Sequence, residues 1–381
     1  MSDSDTLTLI ICTYRRPREV ERLLRAVAAQ SRVPDETLIV DGSPDDETER
    51  VVSAIIQKNE TKRGSVVRDL KYFRVPPAER GLTRQRNYGI AHARGAFISF
   101  LDDDTVPEPE YFSETLACFE RHAEASGVGG FIANEVEWRR ANADAANGEA
   151  GEIGRASASV FRWGEWERRE AYRWRLRSAL RLASELPPGW MPSAGHGRPV
   201  GYLPPDGEDY AVEFFMGGSS TWRREVFARH KFSSYFEGYG LYEDMDFCVR
   251  AAKDAPLFLS TRARLAHYHA PGGRPSRFRY GLMVVRNGWF VWRRRHPQPA
   301  LSNRARWWAT TALLAACQLG EAVRGRDRWQ QLTEALGRAS GMATLLLSKP
   351  EESKEPEHST KPKDSGAAKA TDEVAASASN A

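Results

Sequence analysis

The first hundred residues alternate short apolar runs with amphipathic stretches, the pattern of strands and helices wound around a mostly parallel sheet. Leu7 to Cys12 is predicted as a strand. Pro17 then stands at a helix N1 position, and Val20, Leu23, Leu24, Val27 and Ala28 recur at helical spacing, giving one buried stripe. The same reading gives strands at 37–40, 70–75 and 96–101 and helices at 45–58 and 82–94. Each predicted strand ends in polar residues. Because open α/β sheets bind ligands beyond the carboxyl ends of their strands, segments 13–15, 41–43 and 102–104 are expected to converge on one crevice.

From Glu135 the alternation breaks, and an Ala, Gly and Asn-rich loop leads into a Trp and Arg-rich stretch with Pro and Gly clusters. Helical patterns return around 223–230, 243–253, 278–296, 304–323 and 328–347. Past Ser348 the composition collapses to Lys, Glu, Pro, Ser and Ala, which cannot offset ordering entropy, so a disordered tail is expected there. The expected organisation is an extension at 1–6, a first half of an α/β domain at 7–134, an insertion region at 135–211, a second half of that domain at 212–273, basic amphipathic helices at 274–348 and the tail at 349–381.

Composition changes this picture at one place. Hydrophobic residues at 41% and charged residues at 28% are ordinary for a globular chain. The net charge of +4 conceals an asymmetry, since no Asp or Glu occurs from Ala255 to Gly320 while Arg recurs throughout. That segment should meet something anionic. Within it Phe278, Leu282, Val285, Trp289 and Trp292 form a helical stripe flanked by Arg279, Arg286 and Arg293 on one side and Arg277 and Arg295 on the other. The stripe reads either as an interfacial helix on an anionic membrane or as a helix packed on the catalytic domain. The longest nearly apolar run, Trp307 to Leu319, is shorter than the roughly 20 residues a spanning helix needs. The acidic, polar start of the chain carries no signal-peptide pattern. Cys12, Cys118, Cys248 and Cys317 form no Cys-x-x-Cys pair, and a reducing, cytoplasmic setting, peripheral to the membrane at most, is expected.

The most informative run is Phe97 to Asp104, an apolar strand ending in three consecutive carboxylates. Three like charges at a buried strand end repel unless a cation neutralises them, and hard oxygen ligands suit Mg²⁺ or Mn²⁺. A solvated acidic loop is the competing reading. Further carboxylates open a predicted helix at Glu243, Asp244 and Asp246, where they also simply favour the helix dipole. His267 and His269 lie on one face of an alternating strand, where a neutral imidazole could complete an oxygen-rich metal shell.

In this order, Thr13-Tyr14-Arg15, Val40-Asp41-Gly42-Ser43, Arg86-Asn87-x-Gly89, Asp102-Asp103-Asp104, Gly217-Gly218 with Arg223 to Phe227, Glu243-Asp244-x-Asp246 and Ala263-x-Leu265-x-His267, the chain resembles glycosyltransferase family 2 over roughly 7–295. The resemblance implies the GT-A fold: an α/β, mostly parallel mixed sheet with helices on both faces, here with C-terminal amphipathic helices added. It implies an inverting, metal-dependent transfer of a single sugar from a nucleotide diphosphate sugar, UDP or dTDP favoured, to a glycan or lipid-linked acceptor. Thr13, Arg15, Asp41, Arg86, Asp102 and Asp103 match donor-site positions, and Asp104 and His267 match metal ligands. Gly217, Gly218 and Glu243 match the acceptor side, and Asp244 matches the catalytic base. Many relatives have two Asp where this chain has a single Asp41 before Gly42, and the Gln-x-x-Arg-Trp element of processive synthases is absent. Two other classes stay open: a nucleic-acid or anionic-surface binder using the Arg and Trp-rich segment, and a metal-dependent phosphohydrolase. No compact nucleic-acid motif accompanies the first, and strand-end carboxylates serve no such partner.

Overall fold

A computed structural model describes residues 5–61, 67–141, 160–236, 238–270, 272, 274–324 and 327–351. In chain order its elements are β1 (Leu7–Thr13), α1 (Pro17–Ala28), β2 (Glu36–Asp41), α2 (Glu47–Thr61), β3 (Leu70–Arg74), α3 (Leu82–His92), β4 (Phe97–Leu101), β5 (Thr105–Pro107), α4 (Tyr111–Arg121) and β6 (Gly127–Ile132). There follow β7 (Arg139–Arg140), β8 (Val160–Trp163), β9 (Trp166–Arg169), α5 (Tyr172–Ala179), β10 (Asp209–Val212), β11 (Ser219–Arg223), α6 (Val226–Arg229) and α7 (Glu243–Ala251). The chain then forms β12 (Leu257–His267), α8 (Arg277–Arg295), α9 (Leu301–Arg324) and α10 (Arg328–Leu347). Most of the tail expected at 349–381 lies outside the described residues.

Among the described residues the main sheet has nine strands, in the order β10-β12-β6-β11-β4-β1-β2-β3, with β5 paired to the end of β12. Following the pairings, β1, β2, β3, β4, β6 and β12 run one way and β5, β10 and β11 the other. This is the mixed, mostly parallel α/β sheet that the alternation predicted. β1, β2 and β4 are buried along nearly their whole length, which explains their predominantly apolar runs. One face of the sheet is covered by α1, α2 and α4 through Val20, Leu24, Val52 and Phe119, and the other by a core that includes Phe247, Val249 and Phe290 of α7 and α8. A separate three-stranded sheet, β7-β9-β8, stands in the expected insertion region.

Two expectations change on contact with the structure. Helical spacing from Arg223 to His230 is only partly realised: Ser219–Arg223 is a strand inserted antiparallel between β4 and β6, and the helix is confined to Val226–Arg229. The strand, Ser-Ser-Thr-Trp-Arg, carries no alternation of apolar and polar residues that would mark it, and its place is set by pairing with β4 and β6. The stripe of α8 is largely spent on packing. Val285, Trp289 and Trp292 are buried, with Trp292 at 1% exposure, while Phe278 remains exposed. Gly281 and Gly337 let α8 and α10 approach to backbone contact. No described helix is long and apolar enough to cross a membrane.

Candidate active site

β1 lies at the point where chain connections turn outward in both directions, to β2 on one side and β4 on the other. That is where an α/β sheet opens a crevice at its strand ends. Register sets the rest: Ile10 pairs with Phe100, so three residues further on Thr13 is level with Asp103. The Thr13 hydroxyl donates to Asp103 Oδ2 at 2.7 Å. After β4 the chain turns tightly, Thr105 N donating to the Asp102 carbonyl at 3.0 Å, and β5 pairs Thr105 with His267 at the end of β12. The imidazole thereby arrives at the acidic turn, with Nε2 3.1 Å from Asp104 Oδ1 and Nδ1 3.0 Å from Glu135 Oε1.

A cavity of about 520 Å³ opens on this turn, lined by Thr13, Asp102, Asp103, Asp104 and His267 together with Arg16 and Gln85. One ligand atom from each of Asp102, Asp104 and His267 can be chosen so that all three lie within 4.8 Å of one another. Two carboxylates and an imidazole fit a divalent cation that tolerates nitrogen, and Glu135 on the far ring nitrogen supplies the carboxylate–histidine support common behind such ligands. Gly218 is part of this construction, because a Cβ there would overlap the Asp102 carboxyl group. Gly218→Ala is therefore expected to displace Asp102 and weaken Mn²⁺ binding by about 10- to 100-fold, as supporting-residue changes do, read by calorimetry alongside an unchanged far-ultraviolet circular dichroism spectrum.

Charge in the site is tightly coupled. Burial works against ionisation of Asp104, but hydrogen bonds from His267 and the Ala270 amide, with the positive charges of His267 and Arg16, hold it down at about 2. His267 is lifted to about 10 by Asp104 and Glu135 in spite of its burial. Burial lifts Asp103 to about 7, opposed by Arg16 and Thr13. In the metal-free protein the Asp104 contribution to stability is complete above its unfolded value of 3.8 and is lost as pH falls through about 2. The His267 contribution is complete below 6.5 and is lost as pH rises through about 10. Both are whole between those unfolded values, a window of pH 3.8 to 6.5. A cation must displace the His267 proton, so Mn²⁺ affinity is expected to rise by up to about tenfold per pH unit from pH 7 to 9 with release of one proton. Calorimetry in buffers of different ionisation heat measures that proton directly; a flat profile would remove His267 from the ligand set.

The remaining predicted residues lie outside the cavity lining. Arg15 has a left-handed backbone (φ 55°), donates its amide to Ser43 Oγ at 2.7 Å and turns its side chain outward to Asp45 at 3.4 Å. Asp41 is fully buried and accepts from the Ser43 amide at 2.7 Å and the Tyr72 hydroxyl at 2.8 Å. Arg86, 2% exposed, lies beneath the site and clamps Glu243 at 2.6 Å and Asp102 at 3.4 Å. Gly217 donates its amide to Asp244 Oδ2 at 3.1 Å, and the Met245 amide donates to Oδ1 at 2.7 Å. Burial raises the Asp244 carboxyl above its ordinary range, against those two amides and Arg86. Asp246 is fully buried and ion-paired to Arg250 at 2.8 Å and Arg294 at 3.3 Å.

Sequence reasoning passed over Arg16, which bridges Asp103 at 2.7 Å and Asp104 at 3.3 Å, and Gln85, whose amide reaches the Thr13 and Val40 carbonyls. It also missed Glu135 and gave His269 no role, although both join His267 in an adjoining trio. The signal available for Arg16 was its place before Pro17, at the entry to a helix that starts beside a strand end.

A strand-end carboxylate cluster and an imidazole line a cavity at the switch point of a mixed α/β sheet, a candidate ligand site. Residues 8–181 match the model of glycosyl transferase family 2. Over 98 residues the chain is 29% identical to the GalNAc(5)-diNAcBac-PP-undecaprenol beta-1,3-glucosyltransferase of Campylobacter jejuni, covering 26% of this chain and 29% of that one. Over 116 residues it is 29% identical to an uncharacterized glycosyltransferase of Haemophilus influenzae, covering 30% and 35%. It thus spans about a third of the length of these curated relatives. Among solved structures, a mannosyltransferase of Pyrobaculum calidifontis in complex with GDP-Man and Mn²⁺ aligns with a TM-score of 0.48 at 16% identity, covering 89% of this chain and 80% of that one. Residues 1–349 of Staphylococcus aureus TarS with UDP align with a TM-score of 0.42 at 14% identity, covering 85% and 77%.

Proposed function

We propose that the chain is an inverting glycosyltransferase that moves one sugar from a nucleotide diphosphate sugar, UDP or dTDP favoured, to a hydroxyl of a glycan or lipid-linked acceptor. The observation that carries this reading is the Asp102, Asp104 and His267 set at the rim of the 520 Å³ cavity. Asp104 and His267, with Asp102, would hold Mg²⁺ or Mn²⁺; the imidazole favours Mn²⁺. Such an ion supplies charge stabilisation for a diphosphate leaving group. Arg16, already bridging two of the carboxylates, adds a second positive charge at the same rim.

In the reaction the acceptor oxygen forms a bond to the anomeric carbon while the bond from that carbon to the diphosphate oxygen breaks, the electron pair leaving with the diphosphate. The acceptor proton passes to Asp244, and attack from the face opposite the leaving group inverts the centre. Arg86 positions rather than reacts: by holding Glu243 and Asp102 at once it ties the helix that carries Asp244 to the carboxylate turn. Peripheral membrane contact, included in this reading, is supported by exposed apolar residues on the C-terminal helices, among them Val323, Trp329 and Leu347.

A thermal-shift screen of nucleotide sugars with and without Mn²⁺ tests the proposal. A ligand at 100 times its Kd stabilises by about 2.7 kcal/mol. At least one nucleotide sugar should raise the midpoint only when Mn²⁺ is present, and product analysis should find the sugar on an added acceptor. Release of sugar to water in place of transfer would favour the phosphohydrolase, and no shift with any nucleotide would sink the reading.

A further inference from the structure

A second cavity, of about 310 Å³, is lined by chain neighbours of Asp244. Tyr242 and Met245, which flank the Asp244 turn, both line it, as does Phe214, three residues before Gly217. The Asp244 carboxylate accepts from the Gly217 amide, and the next carbonyl, that of Gly218, accepts from the amide of Asp102 in the first cavity. The Gly217-Gly218 turn thus ties the start of the Asp244 helix to the carboxylate turn of the first cavity.

The lining of the second cavity includes Arg173, Arg177 and Arg338 but no carboxylate. Arg338 is paired with Glu334 at 2.9 Å. Arg177 is 3% exposed and stacks at 3.8 Å on Trp174. It donates to the His196 carbonyl, its Nε has no hydrogen-bond partner, and among the described residues no carboxylate lies within ion-pair distance of it or of Arg173. Burial, followed by the repulsion of Arg198 and Arg173, lowers Arg177 to about 10, so it stays charged at neutral pH. His196, in the same wall, is held neutral by burial, at about 3, and adds no further charge. A guanidinium kept out of water without a counter-charge is unfavourable, and an entering anion relieves it. Trp292 and Trp307, stacked on each other at 5.5 Å and buried, back the cavity, and the half-buried Tyr280 supplies an aromatic wall of the kind that packs against sugar rings.

We infer that this cavity is the acceptor subsite and that it takes a saccharide bearing a phosphate or diphosphate ester, with the anion on Arg177 and Arg173 and the sugar ring against Tyr280. The inference rests on the transferase reading and on Asp244 as its base. The phosphate ester has two sources, a soluble glycosyl phosphate or the headgroup of a glycosyl diphosphate lipid.

Calorimetry on the full chain separates the alternatives. The donor cavity is first filled with Mn²⁺ and whichever of UDP, dTDP or GDP gives the largest thermal shift; if none binds, the transferase reading itself fails. A hexose 1-phosphate is then titrated, and in parallel vesicles carrying a polyprenyl diphosphate sugar. One or both should bind, and Arg177→Gln should weaken that binding roughly 10- to 100-fold, the loss expected for a charge-assisted contact. Because Arg177 packs on Trp174, the exposed Arg173→Gln serves as a second variant that spares the core, with an expected loss of about 3- to 10-fold. Tenfold preference for the vesicles assigns the lipid source, and preference for the soluble ester assigns the other. Nucleotide binding without binding of either ester, or equal affinity for the matching uncharged methyl hexoside, would overturn the inference while leaving the donor site intact. So would unchanged ester affinity in both Arg variants.

Discussion

Asp244→Asn is expected to lower the turnover number by roughly 10²- to 10⁴-fold, the usual worth of a positioned general base, while nucleotide and Mn²⁺ affinities stay within about twofold of wild type. The choice among three neighbouring carboxylates is made by their partners. Glu243 is buried against Arg86, and Asp246 is fully buried between Arg250 and Arg294. Among the described residues Asp244 alone of the three makes no ion pair, and its carboxylate is aimed by two backbone amides beside the Gly217-Gly218 turn. Burial, by raising its pKa, makes it a stronger base than a solvated aspartate. The amide replacement keeps the shape but meets one of the two amide donors with an NH₂ group, so a stability loss of about 1 kcal/mol should accompany the kinetic loss. Near-normal turnover with donor and acceptor both saturating would remove Asp244 from the chemistry, and an equal loss of nucleotide affinity would move it to the donor site.

Asp104→Ala should be costlier to the whole cycle, because it removes the anion that pairs with His267 and that, on the proposed reading, would hold Mn²⁺. The expected outcome is loss of the metal-dependent part of nucleotide binding and a fall in turnover on the order of 10³-fold or more, since a bound cation contributes several kcal/mol of charge stabilisation. The same change leaves the Ala270 amide and one side of His267 without their acceptor. Asp104→Asn, which retains an acceptor oxygen, is the control for misfolding and should fold normally yet still bind Mn²⁺ weakly. Calorimetric titration with Mn²⁺ and rates measured with and without chelator read both variants. Full activity of the wild-type protein in excess chelator would refute the metal assignment.

Much of the framework was legible in the chain. Short, largely apolar runs at Leu7 to Cys12 and Phe97 to Leu101, alternating with amphipathic helices, pointed to a sheet covered on both faces, because their length and branched and aromatic content suit strands between helical stripes. The polar residues after those strands pointed to the crevice, although Asp102 to Asp104 reads in sequence either as a cation site or as a solvated acidic loop. What the tertiary structure alone decided is which side chains complete the site. His267 reaches Asp104 only because β12 runs back along β6 and ends against β5; Glu135 and Arg16 arrive from separate loops. The Trp and Arg stripe of α8 looks the same in sequence whether it faces lipid or protein, and only the packing of α8 against α10 and the sheet settled that Trp289 and Trp292 are interior. Local periodicity encodes which face of an element is apolar, a property of consecutive residues. Which charged groups meet is set by strand register and loop closure between residues far apart in the chain, and that information lies in the packing of the whole domain.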